Sequence, residues 1–193
     1  MLTKKLITPA ATYPLTLAEL KPYMSIELTE TAWDTVLNAA IAGATDTFET
    51  LLGRAIVDQT WQLTCDTWAE ALSYFPMGEL QSLTSVTYLD DNKASQTVDS
   101  TDYDLRGVGT DQGHVRFRDT FTYPSLYESE AITVQYVVGY SIVPNGLKRL
   151  MFIECADNLS FRESKIIVMG TTPIEQRLTE NRYLMFSNGF NVC

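Results

Sequence analysis

Two hydrophobic periods divide this chain. Val36, Leu37, Ala40, Ile41, Ala44, Phe48, Leu51 and Leu52 recur at spacings of three and four, with Asp34, Asn38, Asp46, Thr47, Glu49 and Thr50 between them. That spacing draws one apolar stripe on a helix and predicts that the stripe is buried. The helix should stop at Gly53, where a left-handed cap fits, and Arg54 supplies a cation to the last carbonyls. Directly afterwards, Ile56-Val57-Asp58-Gln59-Thr60-Trp61-Gln62-Leu63 alternates with a period of two, the mark of a half-buried strand. No residue of catalytic type stands at this join.

The rest of the chain follows the same two rhythms. Thr16-Leu17-Ala18-Glu19 has capping-box spacing and starts a short helix with Leu17, Leu20 and Met24 inward, which Pro22 bends or shortens. Thr29 or Thr31 is the expected N-cap of the long helix. From residue 56 to 140 period two dominates: Leu83–Leu89 and Ala131–Val138 are rich in β-formers. Asp90-Asp91-Asn92-Lys93 is a turn that pairs 81–89 with 94–98 as a hairpin. The glycine-rich loop Gly107–Gly113 precedes a strand at 114–118. Pro144-Asn145-Gly146 ends this region, and Leu147, Leu150, Met151, Cys155 and Leu159 restore helical spacing. The expected fold is α+β. An antiparallel helical body (1–54 and 144–169) carries an inserted antiparallel β module (55–143), a small sandwich or barrel-like sheet, and an apolar C-terminal tail follows (170–193). Val36, Leu37, Ile41, Phe48, Leu51, Leu52, Leu147, Leu150 and Met151 are the expected packing residues of the body.

Composition narrows the function more by exclusion than by assignment. The 193 residues, 45% of them hydrophobic, suffice for one domain with a sizeable insertion. Apolar runs fall well short of the ~18 residues of a membrane span, and no signal-peptide core opens the chain, so a soluble cytosolic product is expected. The net charge of -10 is uneven: -2 over 1–54, -9 over 55–143 and +1 over 144–193. Without clustered cations there is no footprint for gripping nucleic acid. The acidic middle is either a solubilising surface or one that repels phosphates as DNA slides past.

Candidate chemistry is sparse. Cys65, Cys155 and Cys193 are odd in number and widely spaced, and His114 is the single histidine, so free thiols are expected rather than disulfides or zinc. Cys155 reads as a small core residue. Asp99, Asp102 and Asp104 offer oxygen ligands for a hard cation but lack the EF-hand pattern; a solvated loop is the competing reading. His114 near Asp111 resembles an acid–base pair, yet no nucleophile elbow accompanies it. Gly107-Val108-Gly109 is too little for a dinucleotide fingerprint, and no phosphate-cradling glycine–lysine loop occurs. Trp33, Trp61, Trp68 and the strand tyrosines could form a carbohydrate platform, against the alternative of core or interface rings.

The order of certain segments carries more. These are Pro14–Lys21, Phe48–Ile56, Gln59–Leu63, Leu80–Tyr88 and Val134–Tyr140. In that order the chain resembles the head–tail connector, or adaptor, proteins of tailed bacteriophages and prophages, of the type with a β insertion. The resemblance implies a structural protein of the virion neck with no enzyme activity, cofactor or metal, assembled in the cytoplasm of the bacterial host. It implies a ring of about a dozen copies, formed on the portal protein and joining it to a downstream stopper or tail protein. DNA passes through without specific binding, and no membrane is involved. It further implies that the C-terminal segment docks on the portal, through Ile174, Leu178, Tyr183, Leu184, Met185, Phe186, Phe190 and Val192. Another neck or tail-completion protein is the near alternative, and a ligand-binding or hydrolytic β module the distant one.

Overall fold

The computed structural model describes residues 2–71 and 74–160, and the expected tail at 170–193 lies outside them. The chain mixes α and β. In order come β1 (Thr3–Thr8), α1 (Leu17–Tyr23), α2 (Asp34–Leu52), β2 (Gln59–Cys65), α3 (Trp68–Ala71), β3 (Leu80–Leu89), β4 (Ser95–Thr97), β5 (Tyr103–Arg106), β6 (His114–Phe117), β7 (Ile132–Val138) and α4 (Asn145–Ser160).

Five strands make one antiparallel sheet in the order β1-β2-β7-β3-β4, and β5 pairs with β6 as a separate ribbon. The ribbon's Val115 and Phe117 share an apolar cluster with Leu63, Cys65, Leu80, Val86, Val134 and Tyr136 of the sheet. Among the described residues the β region is therefore an open sheet with a ribbon laid over one face, a two-layer arrangement with β1 and β4 at its edges rather than a closed barrel. One difference from the sequence reading follows at the N-terminus. Residues 3–8, which the sequence groups with the helices, pair with β2 (Lys4 opposite Leu63, Leu6 opposite Trp61).

The long strand β3 departs from simple alternation for a visible reason. Its register skips one residue between Leu80 and Ser82 and another between Leu83 and Ser85. Each bulge adds a residue, so the positions turned to the core, Leu80, Leu83, Val86 and Tyr88, stand three, three and two apart. The predicted hairpin is present, with Leu89 opposite Ser95. Asp90 Oδ1 closes its turn by accepting from Asn92 N at 2.9 Å and Ala94 N at 3.0 Å.

The helices bury a second cluster: Leu15, Leu20, Leu37, Ile41, Ala44, Phe48, Ile56, Leu147, Met151 and Cys155. Adjacent residues divide the two cores, Ala55 belonging to the sheet cluster and Ile56 to the helical one. At α1 the capping box forms as the sequence predicts, and the helix ends one residue after Pro22. The N-cap of α2 differs, being Trp33 rather than Thr29 or Thr31. Buried Lys21 explains this. Its Nζ donates to Glu30 O at 2.6 Å and Leu28 O at 3.3 Å and meets the Asp34 carboxylate at 2.6 Å, so the preceding carbonyls are fixed in a loop.

Glu19 does two tasks. One carboxylate oxygen accepts from Thr16 N at 2.9 Å, the other from Lys148 Nζ at 2.8 Å, tying α1 to α4. The Lys148 bond, more than its other contacts, lowers the pKa of this carboxyl. Its contribution is therefore present above the ordinary carboxyl pKa and lost as the pH falls through the lowered value. With the side chain 39% exposed, Glu19→Ala should cost about 1 kcal/mol at neutral pH. Urea melts should show the difference from wild type disappearing in acid.

Candidate functional site

The sheet and the helices meet where the chain crosses between them twice, at residues 53–58 and again at 139–144. Gly53 caps α2 in the left-handed region, φ 64°. Glu49, in the last turn of α2, then organises the crossing: its carboxylate accepts from Ile56 N at 2.9 Å and from Gln59 Nε2 at 2.8 Å. The returning stem lies against the outgoing one, with Tyr140 N donating to Ile56 O at 3.2 Å and Gly139 N to Glu79 O at 3.1 Å. Gly139 sits so close that a Cβ there would fall 2.6 Å from Asp58 N and from Val57 C.

Arg54 closes this junction. The sequence suggests the helix carbonyls as its partners; instead its Nη2 and Nη1 donate to Asp111 Oδ1 at 2.8 Å and Oδ2 at 3.2 Å. Its guanidinium lies 4.3 Å from the centre of the Tyr140 ring, and Nη2 is 3.8 Å from Glu79 Oε1. One side chain at the end of α2 thus joins the ribbon loop, the start of β3 and the stem after β7. Burial raises the pKa of Glu79, against the pull of Arg54, and likewise raises that of Tyr140.

The residues expected to pack the helices are mostly together. Leu37, Ile41, Phe48, Leu147 and Met151 are buried in the helical cluster, and Leu52 and Leu150 pack against it. Val36 is half-buried, and Leu51 is 44% exposed. At ~100° per residue Leu51 stands about 70° off the middle of the buried stripe, which spacing counts of three and four do not reveal. The expected docking residues Ile174, Leu178, Tyr183, Leu184, Met185, Phe186, Phe190 and Val192 lie outside the described residues.

The candidate chemical groups have structural partners. Asp111 is held by Arg54, while His114 Nδ1 lies 2.9 Å from Gln112 O and its ring meets Tyr74 edge-on. Asp99 accepts from Thr101 N at 2.8 Å, and Asp104 pairs with Arg118 at 3.1 Å. Among the described residues no group of three or more His, Cys, Asp or Glu could hold a metal ion. Cys65 and Cys155 are buried and free, and burial pushes both thiols up to about 11. Trp68 is ringed by Tyr88, Phe117 and Phe121 at 5.4 to 5.6 Å and donates from Nε1 to Pro124 O, which makes it a core ring rather than a platform. No helix among the described residues is long and apolar enough to cross a membrane.

Charge placement is the feature that net charge conceals. None of the five strands of the main sheet contains an Asp or Glu; the carboxylates of 55–143 stand in turns, loops, α3 and β5. The sheet face away from the core presents Thr60, Gln62, Thr64, Thr133 and Gln135 from its central strands. On these central strands it is uncharged, with Val137 its apolar member, and Lys5 of β1 stands opposite Gln62 on the same face.

The described residues combine a five-stranded antiparallel sheet, two apolar cores and a polar junction between them. No protein-family model and no curated protein matches the chain. Solved structures do. The chain is similar to one in the neck of an empty GTA particle computed with C6 symmetry, at 15% identity over 92% of this chain and 94% of that one, TM-score 0.62. It is similar also to a chain of the virion of the native gene transfer agent (GTA) particle, at 14% identity over 90% and 93%, TM-score 0.65. A third likeness is to a chain in the neck of the native GTA particle computed with C12 symmetry, at 17% identity over 92% and 93%, TM-score 0.56. At these identities the likeness establishes a shared fold, running nearly end to end.

Proposed function

We propose that this chain is a structural head–tail connector (adaptor) of a tailed phage or prophage particle, without enzyme activity. The observation that carries the reading is the fold likeness to a neck chain over 92% of this chain and 94% of that one. A stray shared motif would not extend so far. In this role about a dozen copies form a ring beneath the portal protein. The ring joins the portal to a stopper or tail protein and lets DNA pass without specific binding. The division into helical body, β module and interaction tail fits that work: the helices make the ring, the module projects from it, and Ile174 to Val192 dock on the portal. The absence of carboxylates from the main sheet and the scattering of cations suit a surface that neither grips nor strongly repels phosphate.

Electron microscopy of the full chain mixed with its portal should show a ring seated on the portal. Deleting residues 171–193 should abolish portal binding while leaving the circular dichroism spectrum and melting transition of the remainder in place. Undiminished binding by the truncated chain would refute the docking role, and the absence of any portal complex with the full chain would refute the connector reading.

A further inference from the structure

Among the described residues the main sheet has two open edges of opposite character. β1 is exposed along all six residues and β4 along all three. Lys4 and Lys5, both on β1, are the only charged residues in the five strands. At the far edge, β4 is bracketed by Asp90 and Asp91 on one side and Asp99 on the other, all exposed or half-exposed. Lys93, the cation in that turn, is directed over the Tyr127 ring at 4.5 Å.

Lysine on an edge strand ordinarily guards against pairing with another sheet. Here the guard is selective. Two β1 edges repel each other through their lysines, and two β4 edges through their aspartates, but β1 and β4 attract. Unlike edges that attract while like edges repel specify a head-to-tail contact, the type of interface that generates rings.

We infer that β1 of one copy pairs with β4 of the next, so that the sheets of neighbouring copies join edge to edge. The partner is a second copy of this chain, and the inference rests on the ring reading while adding a second contact between neighbouring copies beside that of the helices. Every neighbouring pair in the sheet is antiparallel, so β1, β7 and β4 run in one direction. Copies set side by side in the same orientation therefore pair these edges in parallel. With β4 only three residues long the ladder is short, and charge attraction supplies much of the selectivity. Backbone hydrogen bonds, from Ala94 to Asp90 and from Thr101 to Asp99, keep both carboxyls below their ordinary pKa, so they remain anionic on mild acidification.

The test uses the full chain, half of it labelled with heavy nitrogen, at concentrations where sedimentation velocity detects oligomers. A zero-length carbodiimide should join Lys4 or Lys5 of one copy to Asp90, Asp91 or Asp99 of another, as mixed-label peptides. Lys4→Glu/Lys5→Glu should weaken self-association at least about tenfold. Mixing that variant with Asp91→Lys/Ser95→Lys should restore mixed pairs, and circular dichroism melts check that each variant folds. If oligomers form without these cross-links and the charge reversals leave them unchanged, the edge pairing is wrong while the ring reading stands. If the free chain gives neither oligomer nor mixed-label cross-link at any concentration, the edge pairing falls, while the ring reading, whose ring forms on the portal, is decided by the portal complex.

Discussion

Gly139→Ala is expected to destabilise the protein by about 3 kcal/mol or more, out of proportion to the single methyl it adds. The backbone at Gly139 has φ 155°, and the added Cβ would sit 2.6 Å from Asp58 N, 2.6 Å from Val57 C and 2.7 Å from Val57 O. All three are backbone atoms, so no side-chain end can swing away. Relief requires the two stems to part, which strains the bonds that hold them: Tyr140 N to Ile56 O, Gly139 N to Glu79 O, and Gln81 Nε2 to Gly139 O at 2.7 Å. Gly43 is the internal control. It lies in α2 with nothing within 4 Å of an added Cβ, so Gly43→Ala should stabilise by roughly 0.5–1 kcal/mol. Urea unfolding followed by circular dichroism separates the two. A Gly139→Ala midpoint equal to wild type would mean that the stems slide freely and do not fix the sheet on the helices.

This junction also shows what a sequence can and cannot reveal. The end of α2 and the alternation of β2 are local patterns, and the join between them is legible from spacing alone. So is the capping box at Thr16, because both partners lie within four residues. The edge strand β1 is not legible as a strand: Thr3–Thr8 buries nothing, so no alternation is needed. β5 is hidden because Asp104 within it pairs with Arg118 across the ribbon and reads as part of an acidic loop. The bulges of β3 break period two where its pairing with β7 demands it. Arg54 is the plainest case. Its position at a helix end predicts a local partner, whereas its actual partner, Asp111, is 57 residues away and is set by how the ribbon folds over the sheet.

Arg54→Met should therefore cost more than an ordinary surface ion pair, about 2–4 kcal/mol at pH ~8. The Arg54 side chain is 15% exposed and that of Glu79 22%, so solvent cannot replace the lost partner fully. Two carboxylates and the Tyr140 ring would lose their shared cation. The pH dependence follows from Glu79. Burial, followed in order by the opposing Arg54 charge and the reinforcing Asp111 charge, places its folded pKa above the ordinary value. Without Arg54 the two raising influences act unopposed. A carboxyl with a raised folded pKa destabilises above that pKa, and the penalty disappears as protonation neutralises it below the unfolded value. The gap between wild type and Arg54→Met should thus be widest in mild alkali and narrow as the pH falls toward ~4.5. Arg54→Lys should recover little of the loss, because an ammonium cannot form the paired contact with Asp111 while covering the Tyr140 ring. Arg54→Met/Glu79→Gln should recover a measurable part at pH ~8, since the uncompensated charge is gone. A gap that stays constant between pH ~8 and ~5, or a double variant no better than the single one, would show that Arg54 acts by packing alone and that the junction is not held by charge.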